Sequence, residues 1–213
     1  MKIKYLAHAA FLITSESGTR IMTDPYETSG GLKHGAIQET ADIVTVSHEH
    51  GDHNNVAAVR GNPKAVRASA DVKGIKIKAV PAAHDDKGGS QRGANIIFCF
   101  EVDGINICHT GDLGHALSEE QVKAIGRVDV LMIPVGGFFT IDAKTATKVG
   151  EQLKPKVIIP MHYKTEKLNF PIAGVDDFLK GKRSVTRSNE SEIELKAGKL
   201  PASTQIIVLK QSL

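Results

Sequence analysis

Two cysteines in 213 residues cannot staple a chain of this length, which excludes a disulfide scaffold. Charge of one sign is also scarce. The chain has 27 Lys and Arg against 24 Asp and Glu, a net of +3, too little to argue for a nucleic-acid or membrane surface. No window approaches the roughly 18 apolar residues that span a bilayer. Repeats, low-complexity tracts and long linkers are absent, so disorder, collagen and coiled coil fall away. No Ser or Cys stands in a Gly-x-Ser-x-Gly setting, which removes that kind of nucleophilic hydrolase. What is left is an ordinary globular composition, 41% apolar and 24% charged, long enough to expect one domain over residues 1–213. Histidine is in surplus: there are nine, and their positions decide the reading.

The N-terminus faintly resembles a secretory leader, with Lys2 and Lys4 ahead of an apolar stretch to Ile13. That stretch is short and carries His8. It then meets a polar turn, Ser15 to Thr19, and a second apolar run from Arg20 to Thr23. A hairpin explains this better than a leader does, and a mature cytoplasmic N-terminus is the expectation. Cys99 and Cys108 lie in apolar β-rich runs and read as reduced core residues.

Further on, β patterns recur at 42–46, 64–68, 74–80, 95–102 and 105–109. The last two are joined by Asp103-Gly104, a strong hairpin signal. Ser118 with Gln121 forms the pattern of a capping box that opens a helix to about 125. Asp142 can cap a second helix over 143–153. Buried strands are expected at 128–133 and 155–159, a short helix near 175–180, and β runs near 184–187, 191–195 and 205–209. This order suggests an α+β fold of two mixed sheets packed face to face with helices outside.

One stretch carries the chemistry. His48, His50, Asp52 and His53 read His-x-His-x-Asp-His just after a buried strand. Alternation along extended backbone points His48 and His50 the same way, and leaves Asp52 and His53 to face an adjacent position. Further donors follow apolar β runs downstream: His84, Asp112 and His162. Imidazole and carboxylate suit Zn²⁺, Mn²⁺, Ni²⁺ or Fe.

This ordered set resembles the metallo-β-lactamase superfamily of metal-dependent hydrolases, and most closely its small Zn-dependent hydrolases related to ascorbate-6-phosphate lactonase. The resemblance runs from Leu6-Ala-His-Ala-Ala10 through Asp24-Pro25, Arg92 to Phe98, Cys108 to His115, and Ile133 to Gly137, to Pro160-Met-His-Tyr163. It implies an αββα sandwich with two divalent metal ions, most simply Zn²⁺, at one edge. His48, His50 and His84 would hold the first ion, and Asp52, His53 and His162 the second, with Asp112 bridging them. A hydroxide activated by the metals would then attack a small ester, lactone or phosphodiester, with Asp52 in the catalytic set. Flavodiiron-type oxidoreductases of the superfamily carry glutamate where this chain has His50, so hydrolysis is favoured over a di-iron redox role. A non-catalytic metabolite-binding module is the remaining alternative.

Around this core, His8 is expected to contact substrate or orient a ligand. His115 is expected to serve as the general acid, His109 to support the site or its strand end, and His34 to face solvent. Asp24 is expected to hold a metal-ligating histidine or the His-loop backbone. Glu49 reads as solvent-facing or salt-bridged. Lys87 and Arg92, in the loop after His84, would meet an anionic small-molecule substrate, while Phe138 or Phe139 would wall the pocket. No nucleic-acid partner and no membrane contact are expected.

Overall fold

Strict alternation builds the first sheet. In the computed structural model, which describes residues 1–213, the chain opens with β1 (Lys2–Ala7), β2 (Ala10–Thr14), β3 (Arg20–Thr23), β4 (Ile43–Thr45) and β5 (Lys64–Val66). Ile3, Tyr5, Phe11, Ile13, Ile21 and Ile43 point inward to the larger core cluster. Leu12, Met22 and Val44 point the other way, into a second cluster with Tyr26, Leu32, Ile37 and Leu168. The outer face of this sheet is thus covered by irregular chain rather than by an α-helix, and β4 is buried on both sides.

β6 (Ala70–Val72), β7 (Ile75–Ala83), β8 (Ala94–Val102) and β9 (Ile105–His109) form a meander. Asp103 and Gly104 both have positive φ, 52° and 74°, as a two-residue type I′ turn requires. The chain then alternates: α1 (Glu119–Ile125), β10 (Val130–Pro134), α2 (Ala143–Leu153), β11 (Val157–Met161), α3 (Val175–Leu179), β12 (Val185–Arg187), β13 (Glu192–Glu194) and β14 (Gln205–Val208). Ser118 and Gln121 make the reciprocal capping box, and the Asp142 carboxylate accepts the Thr145 N–H at 2.8 Å.

The sheets are mixed, as expected. The first runs β13-β1-β2-β3-β4-β5, with β3, β4 and β5 parallel. The second runs β12-β14-β11-β10-β9-β8-β7-β6, parallel from β12 to β9 and antiparallel beyond. α1 packs on β7, and α2 on β10 and α3. Residues 2–14 are a hairpin inside the first sheet. No helix is long and apolar enough to cross a membrane.

This topology gathers chain ends. β4, β9, β10 and β11 run in parallel groups, and their C-terminal ends carry the loops holding His48, Asp112, Gly136 and His162. Ligand chemistry collects at such carboxyl edges because side chains from separate loops converge there.

Candidate metal centre

Most of the residues that build the site sit within three residues of a strand end, while His50, Asp52 and His53 lie further along the loop that follows β4. His8 follows β1, Asp24 follows β3, His84 follows β7 and His162 follows β11 directly, while His48 and Asp112 lie three residues past β4 and β9. Three of these residues are left-handed, with φ of 55° at His8, 38° at Asp24 and 49° at His162. Histidine and aspartate tolerate that region better than most side chains but at some cost, and surrounding contacts help to hold them there. The His8 carbonyl does part of this: it accepts the Tyr5 hydroxyl at 2.8 Å and the His162 N–H at 3.0 Å.

The Asp112 carboxylate lies at the centre. Its Oδ2 is 3.3 Å from Nε2 of each of His53, His84 and His162. Asn95 orients this loop, accepting the Asp112 N–H at 3.0 Å and donating to the Thr110 carbonyl at 2.9 Å. Gly111 cannot be replaced: its φ is +54°, and a Cβ would lie 2.4 Å from Asn95 Oδ1 and 2.5 Å from Ser47 Cβ. Gly114 is equally confined, since a Cβ there would meet the Asp85 backbone nitrogen at 2.2 Å.

The donors form two groups flanking Asp112. His48, His50 and His84 make one, with His48 Nε2 3.1 Å from His50 Nδ1. Asp52, His53 and His162 make the other, joined by His8, whose Nε2 lies 3.1 Å from Asp52 Oδ2. Within each group the donor atoms all lie within 4.8 Å of one another. Ligands at about 2.0–2.2 Å in tetrahedral coordination lie about 3.5 Å apart, so a shared ion would draw the more widely spaced donors inward by up to about 1 Å.

The donor set fits a cation. His53 Nε2 and Asp112 Oδ1 are buried without a hydrogen-bond partner, an expensive state unless something else binds them. Burial, reinforced by neighbouring imidazoles, pushes His8 and His48 down to about 3, so both rings are neutral and can offer lone pairs. Burial works against ionised Asp112, but His162 and His53 outweigh it and hold the carboxyl well below its usual range. Burial likewise works to lower His53, yet Asp112 and Asp52 drive it well above the ordinary imidazole value. Carboxylates and imidazoles thus compensate one another here, and a divalent cation would supply the same compensation to the carboxylates.

Asp24 stands behind the cluster, fully buried. One oxygen accepts the Ser47 N–H at 2.8 Å, and the other meets the Ser47 hydroxyl at 2.5 Å and His53 Nδ1 at 2.9 Å. Its contacts reach both the His-loop backbone and the ring of His53, leaving His53 Nε2 to face the cluster. Glu49 is salt-bridged to Arg67 at 2.6 Å.

Three expectations need correction. His115 is not free to donate a proton: its Nδ1–H donates to the Ala116 carbonyl at 2.8 Å, and its Nε2 accepts the Ala83 N–H at 3.1 Å. Both ring nitrogens are spent on backbone, so the ring braces the ends of two loops. His34 is 4% exposed, packed edge-on against Tyr26 with a 5.8 Å centroid separation, because distant chain covers its loop. Lys87 points to solvent and pairs with Asp86 at 3.6 Å, away from the cleft. His109 is buried and ties the end of β9 to the Ala9 carbonyl at 2.9 Å.

The cleft over the cluster encloses about 300 Å³, with Arg92, Phe139, Gln91 and Phe170 among its walls. Phe138, by contrast, is 63% exposed. Phe170 carried no local signal, since it reaches the site from a loop far along the chain. Asp85 was also missed, although an Asp ahead of a Gly-rich loop is a recognisable turn signature.

Comparison with known proteins agrees with this geometry. Residues 2–162 match the family model of the beta-lactamase superfamily domain. A UPF0173 metal-dependent hydrolase of Pelotomaculum thermopropionicum is 32% identical over 78% of this chain and 85% of its own. Another, of Carboxydothermus hydrogenoformans, is 33% identical over 83% of this chain and 88% of its own. A Thermotoga maritima crystal structure, described as a candidate Zn-dependent hydrolase of the metallo-β-lactamase superfamily, superposes with a TM-score of 0.81. It is 41% identical and covers 98% of this chain and 97% of that one.

Proposed function

The chain belongs to the metallo-β-lactamase superfamily as a metal-dependent hydrolase, and from that premise we propose a binuclear site acting on a small ester, lactone or phosphodiester. His48, His50 and His84 would hold one divalent ion. Asp52, His53 and His162 would hold the other, with Asp112 between them. Zn²⁺ suits these nitrogen and oxygen donors best, and Mn²⁺, Ni²⁺ or Fe are compatible. When bound, the ions would supply Lewis acidity to the substrate oxygen and acidify water enough to give a nucleophile at neutral pH.

The chain's own groups would set that chemistry up. The His8 Nε2–H donates to Asp52 and fixes its carboxylate. Asp24 holds the Nδ1 proton of His53, which keeps the Nε2 lone pair toward the cluster. Phe139 and Phe170 would exclude water from one wall of the cleft.

The observation that carries this reading is the convergence of two donor groups on the buried Asp112 carboxylate. Its test is metal stoichiometry together with turnover of a p-nitrophenyl ester, a lactone and bis-p-nitrophenyl phosphate. Two equivalents of metal per chain are expected, with activity lost on chelation and in Asp112→Ala. Turnover retained in fully metal-free protein would overturn the proposal.

A further inference from the structure

We propose that the cleft mouth carries a subsite for an anionic group joined to a flat apolar one, built by Arg92, Phe139 and Phe170 and positioned by Asp85. The inference rests on the hydrolase reading, because it names the substrate class that the cleft would select.

Among the cleft-lining residues other than histidine, the only cation is Arg92; the charged neighbours it shares the cavity with are Asp52 and Asp112. Arg67, Arg127 and Arg187 each meet a carboxylate. Arg92, like Arg20, Arg60 and Arg183, meets none, and its side chain donates no hydrogen bond; it differs from those three in lining the cleft over the cluster. It is half-buried, with its guanidinium 5.6 Å from the centre of the Phe139 ring. A planar fork of N–H donors held against a ring and left without an anion is half of a recognition unit. Its geometry matches the two oxygens of a carboxylate or phosphate.

The loop that carries Arg92 is built rather than loose. The Asp85 carboxylate accepts four backbone N–H groups, from Lys87 at 2.8 Å, Gly89 at 2.9 Å, Gln91 at 2.9 Å and Arg92 at 2.7 Å. Gly93 closes the loop back onto the end of β7, its carbonyl accepting the His84 N–H at 3.0 Å. The Arg92 backbone is therefore fixed through Asp85 to the residue next to a metal-binding candidate. An anion on Arg92 would be held at a set place relative to the cluster, which is what orienting a substrate requires.

The apolar half is continuous. Phe139 meets Phe170 edge-on at 5.5 Å, and Phe170 meets His8 edge-on at 5.9 Å. An aromatic wall thus runs from the guanidinium to the metal-binding candidates. A cavity of about 300 Å³ has room for one ring with its anionic and scissile groups, and little more.

Phenylacetate and phenylacetamide test the proposal, because they differ in charge and hardly in shape. Calorimetric titration would measure both against wild type, Arg92→Gln, Arg92→Lys and Asp85→Asn, with metal content determined on each sample. Wild type should prefer phenylacetate by about tenfold, the scale of one charge-assisted pair. In Arg92→Gln that preference should fall to near unity, and Arg92→Lys should keep part of it. Asp85→Asn should lower it as well, and an unchanged preference there would overturn the positioning role. Phenylacetate binding equally well to wild type and Arg92→Gln would overturn the subsite. Wild-type protein that takes up none of Zn²⁺, Mn²⁺, Ni²⁺ and Fe²⁺ would sink the hydrolase reading instead. The Arg92→Gln comparison reads on that same sample, so the two failures are distinct.

Discussion

Asp24 shows how much one buried carboxylate organises. It holds the His53 ring, the Ser47 amide and the Ser47 hydroxyl, and Ser47 in turn touches His48 Nδ1 at 3.0 Å. Asp24→Asn keeps the shape but not the charge or both acceptors. It should weaken metal binding about 10- to 100-fold, measured by competition with a chromophoric chelator. An unchanged affinity would mean that the pairing only fills space. His34 makes the opposite case. Its ring nitrogens are buried without partners, and burial holds its pKa below the ordinary value, against a pull from the Leu213 backbone. Such a group takes up its proton at a lower pH in the fold than in the unfolded chain, so stability falls as pH drops through about 6.5. His34→Phe should therefore raise stability by about 1 kcal/mol and flatten the loss between pH 7 and pH 5, read from urea melts at both pH values. A steeper slope in the variant would contradict this. The burial of His34 was not legible because its cover is remote: Tyr26 precedes it, and Leu213 packs beside Gly35 from the far end of the chain.

The elements that could be read from the sequence are those whose cause is local. The Asp103-Gly104 turn, the Ser118 cap and the Asp142 cap each depend on a few adjacent residues, and each forms where the pattern placed it. The His-x-His-x-Asp-His run was equally legible, because one short loop presents all four side chains. Sheet order was not, since it depends on pairings such as β1 with β13, about 190 residues apart in sequence. Short β6 escaped notice. The cover on the first sheet escaped for another reason. Tyr26, Leu32 and Ile37 are buried from irregular chain that has no repeat to betray an inner face. Removing the local cause should have a local cost. Ser118→Ala should lower stability by about 1 kcal/mol without altering metal content, measured by denaturant melts and elemental analysis on the same sample. A loss several times larger would show that the cap also supports the packing of α1 on β7.

At the scale of the whole molecule, the cluster draws on both sheets. His48, His50, His53 and Asp52 come from a loop of the first, and His84, Asp112 and His162 from loops of the second. An ion shared among them would clamp one sheet to the other. Metal should therefore stabilise the fold globally and not merely quiet one loop. At a free concentration about 100 times its Kd the expected gain is about 2.7 kcal/mol, visible as a rise in Tm that a chelator reverses. A Tm indifferent to Zn²⁺ and Mn²⁺ would argue against occupancy of the cluster by either ion.

The left-handed backbone at His8, Asp24 and His162 bears on how such a chain would age under mutation. A side chain at these positions opposes the local preference of its own backbone, and glycine or asparagine would sit there more comfortably. While the site is under selection, that discomfort is held in place. In a descendant freed from the need for catalysis, these three positions should be among the first to drift toward glycine or asparagine, while the strands behind them stay recognisable. The residue carried at these three positions would thus report which relatives with this fold keep the site.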